Sequence, residues 1–327
     1  MEAIESQNIQ PESRGAGRSC LTGCLVVFAA ASVTCLVLSL AVGVYFRQSI
    51  QAFAYLVSGT ISADKGDYQA AIQQYNDALQ AGPIEAIATI IYTYRGMAYA
   101  DTSNQDQALA DFNQAIQLCP CSGDKFVNRG SIYLENGMPD MAIGDFNQAL
   151  QLPLDFPSGT YYLRGQAYAR KGQPAQAITD FDLAIQLYPT YPISFSFSIT
   201  RDDLLPWSFD IYHARGTAYL QQDGYVRALA DFEQAIALKP DHAPAYGGRC
   251  QAYFGLKEYE KALADCNTAL KLAPHDVATL YARAQVLIAL GRTAEAAADL
   301  QDVASQAADA GLAQKAKKEY QTLQTKP

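Results

Sequence analysis

A repeated signature constrains this 327-residue chain more than any other feature of its sequence. Arg-Gly-x-x-Tyr occurs at Arg95-Gly96-Tyr99, Arg129-Gly130-Tyr133, Arg164-Gly165-Tyr168 and Arg215-Gly216-Tyr219, and continues as Arg249-Cys250-Tyr253 and Arg283-Ala284-Leu287. Successive arginines lie 34, 35, 51, 34 and 34 residues apart. Twelve residues after each Gly position stands Ala108, Ala142, Ala177, Ala228, Ala262 or Ala296. Four further on comes Phe112, Phe146, Phe181, Phe232, Cys266 or Leu300. Pro120, Pro189, Pro240 and Pro274 close units. A fixed period of this size means that one supersecondary unit is stacked many times, because a single unit cannot bury its apolar face alone.

Within each unit the apolar residues recur at helical spacing, as in Tyr92, Gly96 and Tyr99, then Ala108, Phe112 and Ala115. Small residues allow two antiparallel helices to approach, aromatics fill the gap, and proline stops one helix before the next begins. On these residues the chain resembles the tetratricopeptide repeat family, whose unit of 34 residues is a helix-turn-helix. The resemblance implies an all-α, right-handed superhelical solenoid of about seven repeats. Units are expected near 52–85, 89–122, 123–157, 158–191, 209–242, 243–276 and 277–303, within an array spanning 50–303. The first unit is divergent, with Tyr55, Gly59, Gly66, Tyr68, Ala71, Tyr75 and Ala78 in register but without the arginine. Residues 304–325 are expected to form a capping helix, anchored by Leu312 and Tyr320.

A charge pair accompanies the repeat. Sixteen residues after each arginine stands an aspartate, giving Arg95 and Asp111, Arg129 and Asp145, Arg164 and Asp180, Arg215 and Asp231, Arg249 and Asp265, and Arg283 and Asp299. The first unit has Ser58 and Gln74 at these places, so both partners are absent together. Structural ion pairs are the expectation, because catalysis does not need six copies and guanidinium matches carboxylate bidentately.

Ahead of the array, Leu21 to Phe46 is an uncharged apolar run of 26 residues. About 20 residues cross a bilayer core, so residues 21–46 are expected to form a transmembrane helix. The basic residues flanking it, Arg14 and Arg18 before and Arg47 after, favour a cytoplasmic N-terminus with the array on the outer side. Residues 1–20 are expected to be a disordered tail.

The net charge of -9 argues against nucleic acid as a partner, since phosphate contacts need clustered Lys and Arg. His213, His242 and His275 have no companions at ligand spacing, so neither a metal site nor a cofactor is expected. No Gly-rich phosphate loop or nucleophile elbow appears, and the chain is not expected to be an enzyme. Cys250 and Cys266 occupy the Gly and Phe packing positions of one unit. Reduced thiols packed as small hydrophobes are the first expectation there, and a disulfide is the alternative. Cys119-Pro120-Cys121 has poor geometry for a mutual disulfide.

The spacing of 51 marks an insertion at 188–209, which contains Pro189, Pro192, Pro206 and Trp207, the only tryptophan. Its prolines argue against a continuous helix, and it is expected either to plug the array or to touch a ligand. By the family's pattern the inward positions include Met97, Ser131, Tyr162, Gln166, His213, Thr217, Gln251, Tyr281 and Gln285. This polar and aromatic lining lacks the Lys and Asn with which related repeats clamp a carboxylate tail. It suits an extended peptide or a helix. The expected function is a membrane-anchored, non-catalytic scaffold binding a protein or peptide, with self-assembly, as a homo-oligomer or in a membrane complex, as the alternative.

Overall fold

The computed structural model describes residue 43, residues 46–188 and residues 201–325, with 201–207 and 325 described by backbone alone. All of its regular structure among these residues is helical. The chain divides into two compact units, 1–119 and 120–327.

The first unit holds α1, running through residues 46–64, then α2 (Tyr68–Gln80), α3 (Glu85–Asp101) and α4 (Gln105–Leu118). Ala52 and Leu56 of α1 share a core with Tyr75 and Ala78 of α2 and Ile91 and Ala98 of α3. The second unit holds α5 (Asp124–Glu135), α6 (Pro139–Ala149), α7 (Pro157–Arg170), α8 (Pro174–Leu187), α9 (Arg201–Leu220), α10 (Tyr225–Leu238), α11 (Ala243–Gly255), α12 (Tyr259–Leu272), α13 (Val277–Ala289), α14 (Thr293–Gln306) and α15 (Ala310–Thr325). In the first unit α2 packs on α3, which pairs with α4; in the second, each odd-numbered helix from α5 to α13 pairs with the helix that follows it, each pair packs on the next, and α15 closes against α14. The fold is thus an all-α array of helix-turn-helix repeats with a C-terminal capping helix.

Local chemistry sets the helix boundaries. Proline occupies the first turn of α6, α7, α8 and α11, where its missing N–H would have no intrahelical partner. Asp67 caps α2 by accepting the Ala70 N–H, and Asp276 caps α13 by accepting that of Thr279. The turn inside every repeat has a left-handed residue at one fixed position, which is Gly66, Ser103, Gly137, Gly172, Asp223, Lys257 or Gly291. A side chain is strained there. Replacing Lys257 by glycine is therefore expected to raise stability by about 1 kcal/mol, read as a higher melting temperature. An unchanged or lower melting point would argue against strain at that turn.

Across each pair the glycine faces the aromatic ring. A Cβ built on Gly165 would lie 2.6 Å from the Phe181 ring, and one on Gly96 would lie 2.9 Å from Phe112. In α11 and α12 these positions are joined covalently, because Cys250 and Cys266 form a disulfide with their Cα atoms 5.4 Å apart. This corrects the first expectation of reduced thiols. The Gly-to-Phe contact brings two Cα atoms close, and cysteine at both places then falls within bonding reach. Breaking the Cys250–Cys266 bridge by replacing both residues with alanine is expected to cost about 2 to 3 kcal/mol, because the bridge closes a loop of about 15 residues. The check is denaturant unfolding of the variant against the oxidised parent, and equal midpoints would refute the contribution.

One other expectation is corrected. Among the described residues no helix is long and apolar enough to cross a membrane. Of the expected span at 21–46, only Gly43 and Phe46 are described; the rest, like the expected tail at 1–20, lies outside the described residues. The helix that the run leads into, α1, mixes polar and apolar residues. Arg47, Gln48 and Gln51 are exposed, whereas Ala52 and Leu56 are buried in the repeat core. Single-pass anchoring, a membrane partner and placement of the array on an outer face therefore drop out of the functional reading. The insertion expected at 188–209 is described only in part. Its residues 189–200 lie outside the described ones, but from Arg201 the backbone is helical through Pro206. A proline near the start of a helix removes only one backbone bond, and its φ already suits the helix. Phe209, at the end of the insertion, is buried in the core with Phe232.

Candidate partner-binding face

A ladder of arginines holds the first helices of the repeats in register. Arg95 donates through Nε and Nη2 to the two carboxylate oxygens of Asp111 at 2.7 and 2.6 Å. Arg129, Arg164, Arg215, Arg249 and Arg283 make the same two-pronged contact with Asp145, Asp180, Asp231, Asp265 and Asp299, all between 2.6 and 2.9 Å. In four of them the remaining nitrogen reaches back to the preceding repeat. Nη1 donates to Asn76 from Arg95, to Asn147 from Arg164, to Asp182 from Arg215 and to Asn267 from Arg283. Aromatic rings flank the guanidinium on its own helix, as Tyr161 and Tyr168 do around Arg164 at 5.4 and 5.9 Å. Arg95, Arg164, Arg215 and Arg283 thereby tie the two helices of their own repeat to the repeat before it.

The residues two before and two after each arginine form the face in question. In the first unit Met97 is exposed on α3, one and two turns from the exposed Tyr94 and Ile90. In the second unit the face is less uniform than its sequence suggests. Ser131 Oγ donates to the Val127 carbonyl and Thr217 Oγ1 to that of His213, so both hydroxyls are engaged by their own helices. Tyr162 is buried, its ring 6.0 Å from that of Phe181. Burial, with the nearby Asp210 carboxylate, pushes its phenol up to about 12, against a smaller opposing hydrogen bond with Gln166. His213 packs against Phe232 and, edge-on at 5.2 Å, against His242. Burial first, and then His242, lowers the His213 imidazole to about 4, so it is neutral at physiological pH. The side chain of Trp207 lies outside the described residues.

Three of the expected residues converge. Gln251 on α11 and Tyr281 and Gln285 on α13 line one cleft of about 490 Å³, together with Tyr225, Phe254 and Leu312. The last helix borders it. Glu319 of α15 accepts from Tyr281 Oη at 2.9 Å and from Gln285 Nε2 at 2.6 Å, and the Lys315 ammonium lies 5.2 Å from the Tyr281 ring centre. Gln251 stays exposed at the cleft edge. An apolar, partly enclosed cleft with a few side-chain amides can hold a bulky side chain and hydrogen-bond the backbone that bears it. Among the described residues no group of three or more His, Cys, Asp or Glu is placed to hold a metal ion.

Family profiles described as tetratricopeptide repeat match residues 59–120, 126–156, 159–191, 213–277 and 250–319. The chain belongs to the tetratricopeptide repeat family. Proteins of this kind are non-catalytic scaffolds. No curated protein matches the sequence significantly. A tetratricopeptide repeat protein from Parabacteroides merdae superposes with a TM-score of 0.60 at 18% identity, over 83% of this chain and 99% of that one. PilW, a widely conserved type IV pilus biogenesis factor, gives 0.57 at 19% identity, over 69% and 97% of the two chains. PilF of Pseudomonas aeruginosa gives 0.55 at 15%, over 72% and 99%. At such identities the likeness is one of fold.

Sequence reading missed two parts of this tetratricopeptide repeat face. The first is the third arm of the ladder, although the residue after each core aromatic or its equivalent is Asn76, Asn113, Asn147, Asp182, Glu233 or Asn267. That recurrence was a usable signal. The second is the contact of α15 with the cleft through Lys315 and Glu319, which share a face with the expected anchor Leu312 at helical spacing. Nothing local to those residues says which repeat they meet.

Proposed function

We propose that this tetratricopeptide repeat chain is a non-catalytic scaffold whose second unit holds an extended peptide, or one helix, of a protein partner against α11, α13 and α15. The observation that carries the reading is the cleft, where Gln251, Tyr281 and Gln285 meet around an apolar floor. A large side chain of the partner fills the floor beside Tyr225 and Phe254, and the exposed Gln251 amide pairs with the partner's backbone. Gln166 and Thr217 extend the same reading along α7 and α9, with Trp207 as a further candidate contact. Tyr162 and His213 serve mainly as supports, because burial holds them in the core. Met97, in the other unit, is a separate candidate contact.

The test is photo-crosslinking of the full chain with benzoylphenylalanine at position 251 and, as a control, at Gln314, an exposed residue of α15. One partner is expected at position 251, with its yield reduced at least about tenfold by Phe254→Arg, a loss worth roughly 1.4 kcal/mol. Equal capture at both positions, or capture indifferent to Phe254→Arg, would remove the cleft from the binding surface.

A further inference from the structure

The first helix of the array presents its apolar side to solvent. On α1, Phe46, Ile50, Phe53, Val57 and Ile61 are 41 to 68% exposed and follow one another at steps of four, three, four and four residues. They form a nearly straight stripe along the helix, opposite the buried Ala52 and Leu56. Residues 48–63 carry no charge at all. A repeat array ends on a polar face when its end is to stay in water. α15 follows that rule, with Gln314, Lys317, Lys318, Gln321 and Gln324 exposed. α1 breaks it, and its stripe is therefore a surface that something covers.

We propose that a second copy of this chain covers it, with two α1 helices packed antiparallel about a two-fold axis at Phe53. The stripe is close to self-complementary under that operation. Phe53 meets its own counterpart, Ile50 meets Val57, and Phe46 meets Ile61, since the members lie three and four, then seven and eight residues either side of Phe53. No like charges oppose one another within 48–63, which removes the usual barrier to self-pairing. Five large side chains, each about half exposed, make a stripe of roughly 500 Å² per copy. Pairing two of them removes about 1,000 Å² from water, the level at which specific interfaces begin. Offset stacking of the two Phe53 rings adds a directional contact at the axis.

Sedimentation velocity of the full chain is expected to give a species of twice the 35.5 kDa chain mass that dissociates on dilution. The double variant Val57→Glu, Ile61→Glu is expected to be monomeric at concentrations at least about tenfold higher, with helical circular dichroism unchanged because both residues point outward. A photo-crosslinker at position 53, in a mixture of isotopically light and heavy chains, is expected to join residues 50–57 of different copies. A monomeric parent, a dimer that survives the double variant, or crosslinks from position 53 only to residues 1–42 of the same chain would each overturn the proposal. In the last case the chain's own N-terminal segment occupies the stripe.

Discussion

Replacing Arg164 by alanine is expected to destabilise the second unit by about 4 kcal/mol, because it leaves the Asp180 carboxylate buried without its counter-ion. The Asp180 side chain is only 3% exposed and that of Arg164 18%, so water cannot take over the lost hydrogen bonds. Three contacts vanish together. They are the two-pronged bond to Asp180, the bond from Nη1 to Asn147 in the preceding repeat, and the packing between Tyr161 and Tyr168. Urea unfolding monitored by circular dichroism is the check. Arg164→Lys is expected to recover little, because an ammonium cannot span both carboxylate oxygens and Asn147 at once. Arg164→Met combined with Asp180→Leu is expected to recover much of the loss, since the uncompensated charge is gone. If the single alanine variant unfolded at the parent's midpoint, the ladder would not be a stabilising element.

Acid is expected to weaken the same unit by about 3 kcal/mol through His213, at 1.4 kcal/mol per unit of pKa displacement. The folded imidazole titrates near 4 and the unfolded one near 6.5. Above pH 6.5 both are neutral and the full stability is present. As the pH falls from 6.5 to 4, the unfolded chain takes up a proton that the folded chain refuses, and stability is lost across that window. Burial lowers the neighbouring His242 as well, with help from Lys239, and this adds in the same direction. Asp210 opposes the trend, because burial raises its carboxyl and protonating it on acidification favours the folded state. Lys239 partly cancels its effect. His213→Phe keeps a ring against Phe232 and His242 while removing the titration. Its stability is expected to depend less on pH between 6.5 and 4 than the parent's. Parallel pH profiles for the two proteins would show that His213 is not the group responsible.

The alternation of Gly, Ala and aromatic residues at 34-residue spacing made the array legible before any coordinates, because a repeat multiplies each weak local signal. The site was far less legible. Ser131, Thr217, Tyr162 and His213 share a repeat position or its neighbour with Gln251 and Gln285, yet their side chains turn to their own helix or into the core. Register fixes where a residue sits on its helix, while burial depends on what the next helix brings against it.

The sequence alone determined the helix-turn-helix unit, its recurrence, and the sixteen-residue spacing that places arginine and aspartate on facing helices. These are matters of period, and period is written along the chain. Only the tertiary structure decided that Cys250 and Cys266 are bridged, that the free nitrogens of Arg95, Arg164, Arg215 and Arg283 reach the repeat before them, and that α15 lays Glu319 across Tyr281 and Gln285. It also decided that the apolar side of α1 is left facing water. Each of these depends on which surfaces meet across repeats, and non-local packing sets that where no local pattern can.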